Sequence, residues 1–300
     1  MKEKNTKVIN GENFFFIKER EFTSVLIYKG TNNFLRCGPK GILEKECLTQ
    51  KYLLELGFPV PKIYKEYREN DTFYYIEEMV GRVNFETLFA SDSKNASKIK
   101  DIHFKQFLNI TELFLQAQIK TLRECNKKEK FTKSLLRNDV LKEERPDLHE
   151  ATIEAVNRAL SSLSVFPTAL THGDFHPANI FPKGVIDIES FGYAPLGYDM
   201  VTNIYTTYIL NSSKKSNNPQ RTYSFTTVQI DIYFDMIDRV LTSHALPPLS
   251  VYKNDFVLLR LIWAVVRMHQ WPGTQKWRYE LYERVLDKFL NEDDITKLLV

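Results

Sequence analysis

The spacing of apolar positions changes character several times along this chain. Between residues 14 and 36, three apolar runs (FFFI, VLIY and NFLRC) are separated by charged or Gly/Asn-containing turns, which predicts strands. From Leu43 the period becomes helical: Leu43, Cys47, Leu48, Tyr52, Leu53 and Leu56 share a face, and Gly57 is placed to end the helix. FPVPKIYKEYRENDTFYYIEEMVG then reads as a Pro-led strand, a turn at Glu69-Asn70-Asp71 and a second strand. After Gly81 the pattern predicts helices, first over Ile102 to Leu122 and then over Ala151 to Leu163. The polar stretch Ser91 to Ser97 reads as a surface loop or helix entry, and residues 211–218 as a solvated loop. Residues 170–189 interrupt the helices with two short apolar runs around Phe181-Pro-Lys-Gly184, the signature of a β-hairpin. Helices resume near Asp199 and continue to the end, with no internal repeat.

Composition narrows the class. The 300 residues, 43% hydrophobic with 41 Lys+Arg against 38 Asp+Glu, can bury a large core without disulfides and do not fit a disordered chain. A net charge of +3 is too small to imply a nucleic acid or an anionic membrane as partner. The N-terminus has a basic start but no apolar h-region, so no secretory signal is expected. The longest apolar stretch, Phe256 to Val266, is broken by Arg260 and is shorter than the ~20 residues a membrane span needs, so it reads as a buried helix. Cys37, Cys47 and Cys125 lack CxxC spacing and read as reduced thiols of a cytoplasmic protein. Trp263, Trp271 and Trp277 read as core, and Lys127 to Lys130 as a solvated loop.

Candidate chemistry is concentrated between Leu170 and Ser190, where the chain reads LTHGDFHPANIFPKGVIDIES. Asp174, Asn179 and Asp187 stand in otherwise apolar surroundings. Phosphoryl transfer needs a carboxylate to receive a hydrogen bond from the attacking hydroxyl and oxygen ligands to hold Mg²⁺ on the phosphates. An Asp followed five residues later by Asn lets one loop aim both inward, and a second Asp on the returning strand adds a metal ligand. Asp174 is then the base or orienter, with Asn179 and Asp187 on Mg²⁺. His172 is expected to be structural, bonding backbone near Asp187. Glu189 either assists a second Mg²⁺ or anchors the loop.

These motifs resemble the catalytic and metal-binding motifs of the aminoglycoside phosphotransferase and choline kinase superfamily, which has a protein-kinase-like fold. Gly192-Tyr-Ala-Pro-Leu-Gly-Tyr-Asp199 resembles the family's following element, which implies that Asp199 supports the catalytic loop. Phe34-Leu-Arg36 resembles the strand whose basic residue reaches the ATP phosphates. Glu46, 11 residues before Gly57 in a helix followed by GFPVP, takes the place of the helix Glu that pairs with it. Tyr74 to Gly81 resembles the hinge strand, with Glu78 to Val80 as adenine-contacting backbone. The family's phosphate-binding Lys is Arg36 here, and the nucleotide loop Lys18 to Ser24 has no glycine, so Thr23 and Ser24 are its hydroxyl donors.

The resemblance implies an α+β, two-lobed fold. Residues 1–82 would form a nucleotide-binding lobe of antiparallel sheet and one helix, and residues 83–300 a mainly helical lobe with the catalytic loop and acceptor site. It implies an ATP-dependent phosphotransferase, with GTP open as donor, that uses Mg²⁺ to phosphorylate a hydroxyl of a small molecule. A metabolite kinase of the choline, ethanolamine or homoserine type stays open, as does a catalytically weak pseudokinase acting as a binding module; a homo-oligomer is also open. From Gly184 to Val300 there are 13 acidic residues against 12 Lys+Arg, without the overall acidic bias that a polycationic aminoglycoside would favour.

Overall fold

The computed structural model describes residues 6–20, 23–96, 98–123, 138–209, 222–267 and 272–299. The N-terminal part is an antiparallel sheet of six strands: β1 (Thr6–Ile9), β2 (Glu12–Glu19), β3 (Leu26–Lys29), β4 (Asn33–Pro39), β5 (Ile63–Glu69) and β6 (Thr72–Glu78). Their spatial order is β1-β2-β3-β4-β6-β5. Helix α1 (Lys40–Glu55) connects β4 to β5 and buries Leu43, Cys47, Gln50 and Leu53, one stripe at helical spacing. Gly57, at φ 88°, ends it: the N–H of Phe58 reaches back to the Leu53 carbonyl, a closure that favours glycine in the left-handed region. Val25, Ile27, Phe73 and Tyr75 pack with Leu43 and Cys47 between sheet and helix, while Phe14, Tyr28, Leu35 and Ile76 fill the other face.

The remainder is mainly helical. In chain order its helices are α2 (Phe85–Ala96), α3 (Asp101–Ile119), α4 (Asn138–Glu144), α5 (Pro146–Ser162), α6 (Tyr198–Ile209), α7 (Thr227–Ser243), α8 (Lys253–Arg267) and α9 (Pro272–Leu290). Between α5 and α6 lie four short strands, β7 (Thr168–Thr171), β8 (Ile180–Phe181), β9 (Gly184–Val185) and β10 (Gly192–Pro195). One continuous core runs from Leu53 and Phe58 through α3 and α6 to α8 and α9, so the helical part shares apolar packing with the end of α1 and the segment after it. Among the described residues, no helix is long and apolar enough to cross a membrane.

Four differences from the sequence reading are informative. Strand β1 precedes the predicted strands; it is a short edge strand whose residues are exposed or half-buried. Residues 91–96 are helix, not loop, because Phe85, Phe89 and Asp92 form a buried stripe at i, i+4, i+7. The buried Asp92 carboxylate is satisfied by the Lys100 N–H at 3.0 Å and by His103 Nδ1 at 2.7 Å, which hides a core position behind a polar letter. The expected hairpin over 170–189 is divided: Leu170 and Thr171 pair with Tyr193 and Gly192, and only β8 and β9 close around Pro182-Lys183. Asp187 accordingly follows β9 by two residues instead of ending it. Cys37 and Cys47 are free and buried. Cys125, Trp271, Lys127 to Lys130 and the loop 211–218 lie outside the described residues.

Candidate active site

The loop after β7 is held from beneath by one buried carboxylate. Asp199, in the first turn of α6, accepts the N–H groups of His172 (2.7 Å) and Gly173 (3.0 Å), and Gln118 Nε2 of α3 (3.0 Å). Burial pushes the Asp199 acid up to about 7 even against those donors. Gly173, at φ 77°, turns the chain so that Asp174 leaves the frame toward solvent. His172 is fully buried, and burial holds its imidazole below the usual range, hence neutral. Its Nε2 donates to the Ile186 carbonyl (2.8 Å), and its Nδ1 accepts the Asp174 N–H (3.3 Å).

These bonds tie the two halves of the motif together. The Ile186 N–H donates to the Asn179 carbonyl (3.0 Å), and Asn179 Nδ2 donates to the Asp174 carbonyl (3.0 Å). With the amide nitrogen thus engaged, Asn179 Oδ1 is the atom left to face a cation. Asp187, next to the pinned Ile186, sits at φ 65°, ψ 51° and is exposed. A non-glycine residue in that left-handed conformation costs on the order of 1–3 kcal/mol and persists because its surroundings over-determine it.

Asp174 has two cationic or proton-donating neighbours. Its Oδ1 lies 2.7 Å from an Arg260 guanidinium nitrogen, and its Oδ2 lies 3.4 Å from His176 Nε2. Burial alone would raise its pKa, but the His176 contact and the Arg260 charge together hold the carboxyl well below the usual range. Arg260 is fully buried on α8, also donates to the Gly173 carbonyl (3.2 Å), and stacks over Trp263 at 4.0 Å from the ring centroid.

The sheet supplies a chain of alternating charges. Arg36 on β4 donates to Glu77 (2.6 Å) and Glu46 (2.7 Å); the other Glu46 oxygen receives Arg20 (2.8 Å), and Arg20 also pairs with Glu189. Tyr75 Oη bonds Glu46 (2.9 Å), and Gln50 Nε2 bonds Glu77 (3.0 Å). Although burial opposes its charge, Glu77 and Glu46 hold Arg36 protonated far above neutral pH.

Between sheet and helices lies a cavity of about 350 Å³, whose lining includes Arg20, Arg36, Glu78, Val80, Asn179 and Asp187. At its hinge wall the N–H groups of Glu78 and Met79 are taken by the Lys62 and Asn32 carbonyls, and the Val80 carbonyl by the Lys183 N–H. Among the described residues the Val80 N–H has no backbone partner. The geometry thus gathers Arg36, Glu78, Val80, Asn179 and Asp187 on one cavity, with Glu46 behind Arg36 and Glu189 behind Arg20. Asp174 is joined to this wall through Asn179, with His172 and Asp199 beneath. Ser24, exposed at φ 52°, is not on the cavity wall, and Thr23 lines a neighbouring one.

Sequence reasoning missed Arg20, Gln118 and Arg260. Arg260 did leave a signal: a charge in the middle of an apolar helix stripe requires a buried partner. Arg20 is one charge in a charged loop, and Gln118 a polar residue within an amphipathic helix; neither pattern names a partner.

The donor set suits Mg²⁺ bound with a nucleotide. Among the described residues no group of three or more His, Cys, Asp or Glu is arranged to hold a metal ion. Mg²⁺ instead takes one or two protein oxygens and completes its shell with phosphates and water, which Asp187 and Asn179 Oδ1 match.

A two-lobed architecture with this loop and cavity defines a protein-kinase-like fold. The sequence model of the phosphotransferase enzyme family matches residues 108–210, the segment that holds Asp174, Asn179 and Asp187. A choline/ethanolamine kinase family protein from Mesorhizobium loti shares the fold at TM-score 0.52 and 13% identity, over 91% of this chain and 92% of that one. A Streptomyces rimosus aminoglycoside phosphotransferase, solved with ADP and streptomycin, is similar at TM-score 0.47 and 12% identity, over 87% and 93% of the two chains. No curated protein matches the sequence. The resemblance to the aminoglycoside phosphotransferase and choline kinase superfamily, and the fold it implies, are borne out. The family model reaches residues 108–210 alone, and the structural likeness shows the fold.

Proposed function

We propose that this chain is a Mg²⁺- and ATP-dependent kinase that phosphorylates a hydroxyl of a small molecule. The observation that carries the reading is the rigid frame joining Asp174, Asn179 and Asp187 through Asn179 Nδ2, the Ile186 backbone and His172. Phosphoryl transfer asks the protein mainly for positioning and charge stabilisation, and such a frame supplies position. Residues 1–82 carry the nucleotide's side of the site and residues 83–300 the acceptor's.

The roles follow from the atoms. Arg36, steadied by Glu46 and Glu77, meets the phosphates, and the Val80 N–H meets the base. Asp187 and Asn179 Oδ1 hold the metal, which when bound neutralises phosphate charge as the γ-phosphoryl group moves. Asp174 stays ionised and accepts the hydrogen bond of the acceptor hydroxyl on Oδ2. That hydroxyl oxygen forms the new P–O bond as the bond to the bridging β,γ oxygen breaks, ADP departs, and the hydroxyl proton passes to the carboxylate or to water. A carboxylate this acidic orients the nucleophile more than it deprotonates it. His172 and Asp199 hold the loop, and Glu189 anchors Arg20.

The acceptor is read as a metabolite of low charge. The fully buried Arg260 already offsets Asp174, which leaves little there to attract a polycation. Buried free cysteines fit a reducing compartment, and we place the protein in the cytoplasm. Thermal melting with and without Mg·ATP tests the nucleotide half of the reading. At about 100 times Kd the nucleotide should stabilise by ~2.7 kcal/mol. That shift should vanish in Asp187→Ala and when EDTA removes the metal. A shift retained in Asp187→Ala would remove Asp187 from the metal site, and no shift in the wild type would favour a binding module without nucleotide.

A further inference from the structure

The segment between β2 and β3 has no glycine, and two N–H groups of its described residues are already engaged. The Arg20 N–H is committed to the Val25 carbonyl at 2.9 Å, and the Thr23 N–H turns back to the Arg20 carbonyl at 3.5 Å. A loop that cradles phosphate with main-chain N–H groups needs those groups pointing outward, and glycine to let the backbone approach. Glycine is absent here and these two described N–H groups turn inward, so side chains are the available source of charge for the phosphates.

Arg20 is the side chain placed to supply it. Its guanidinium shares the Glu46 carboxylate with Arg36, one arginine on each oxygen, and both arginines line the nucleotide cavity. Glu46 therefore sets two guanidinium groups side by side. Arg36 is buried and held by two carboxylates, whereas Arg20 is less enclosed and is steadied across the cleft by Glu189. Counting Glu77, Arg36, Glu46, Arg20 and Glu189, the network carries three negative and two positive charges, so it holds no surplus cation of its own. A polyphosphate entering the cavity would compete with Glu189 for Arg20.

We propose that Arg20 replaces the missing glycine-rich loop: it is the second phosphate-binding arginine, handed from Glu189 to the nucleotide's phosphoryl oxygens when Mg·ATP binds. The inference rests on the kinase reading and adds a ligand-binding residue to it. A guanidinium suits this task because its planar fork can keep Glu46 on one edge and offer another to phosphate.

Calorimetry on the full chain tests it with three probes, Mg·ATP, Mg·ADP and adenosine, on wild type, Arg20→Gln and Arg20→Lys. The expected result is a Kd for Mg·ATP raised ~10- to 100-fold in Arg20→Gln, the scale of one or two lost charge-assisted hydrogen bonds. Mg·ADP should weaken as well, while adenosine stays within about 2-fold of wild type. Arg20→Lys should recover part of the loss, since it restores the charge without the fork. Equal weakening of Mg·ATP and adenosine would overturn the proposal in favour of a purely structural latch. So would unchanged Mg·ATP affinity in Arg20→Gln. Should Arg20→Gln melt before it can be titrated, Arg20→Lys carries the same comparison of nucleotide against nucleoside. A wild type that binds none of the three would sink the kinase reading itself, a result distinct from failure at Arg20 alone.

Discussion

Asp174 and Arg260 lie 86 residues apart in sequence yet form the closest charge pair at the proposed point of transfer. A fully buried guanidinium is tolerated only with partners, and Arg260 finds them in the Gly173 carbonyl, the Asp174 carboxylate and the face of Trp263. Its contact with Oδ1 fixes the rotation of the carboxylate and leaves Oδ2, beside His176, to accept from the incoming hydroxyl. Arg260→Gln is therefore expected to lower kcat by ~10-fold or more. KM and Mg·ATP affinity should change little, because Arg260 lies outside the cavity between sheet and helices. In an Asp174→Ala background the same substitution should cost almost nothing further, since residues acting as a unit are not additive. Steady-state kinetics of the two single variants and the double variant check this, and additive losses would make Arg260 structural only.

The short hairpin β8–β9 joins the catalytic loop to the hinge. Lys183 donates to the Val80 carbonyl at 3.0 Å and Val185 to the Pro59 carbonyl at 2.7 Å, so two backbone bonds set the width of the cleft. Gly184 lies between them, and a Cβ there would come within 2.5 Å of the Pro59 carbonyl oxygen. Gly184→Ala should force hinge and hairpin apart and destabilise by ~1–3 kcal/mol, the usual cost of overpacking. At roughly 2–4 °C per kcal/mol, calorimetric melting would resolve that loss; a wild-type Tm would mean the hinge yields without cost. Elements of this kind mark the limit of what periodicity can show. The runs around FFFI, VLIY and NFLRC and the Leu43 to Leu56 stripe announce strands and a helix because each buries one face. The two-residue strands β8 and β9 are set by pairing with distant backbone, and the helix over residues 91–96 by a buried Asp92 that composition reads as solvent-facing.

For the whole molecule, the motif carried more of the site than of its support. Asp174, Asn179 and Asp187 were legible because one loop and its return hold them within 14 residues. Arg20, Gln118 and Arg260 come from other elements, and only the tertiary fold brings them to that loop. Packing of this kind also leaves a pH signature. Burial pushes the Asp255 acid up to about 6 from an ordinary 3.8, with Ser162 bonded to it at 2.9 Å. Between those values the folded chain holds a proton that the unfolded chain has released. The Asp255 contribution is therefore full below pH 3.8 and is lost as pH rises through about 6. Asp255→Asn should flatten the change in Tm between about pH 4 and about pH 6, measured against wild type, whatever other groups add in common. An identical pH profile in the variant would show that Asp255 titrates normally.

The central claim is transfer of a phosphoryl group to a small hydroxyl compound. It is tested most directly by incubating the purified chain with Mg·ATP and a panel of choline, ethanolamine, homoserine, sugars and an aminoglycoside, and detecting the phosphorylated product by mass. One low-charge acceptor should gain a phosphoryl group in step with ADP release, at a rate that falls ~10²–10⁴-fold in Asp174→Ala. Tight binding of Mg·ATP with no acceptor modified, and ADP release no faster than in Asp174→Ala, would contradict the account and leave a nucleotide-binding pseudokinase.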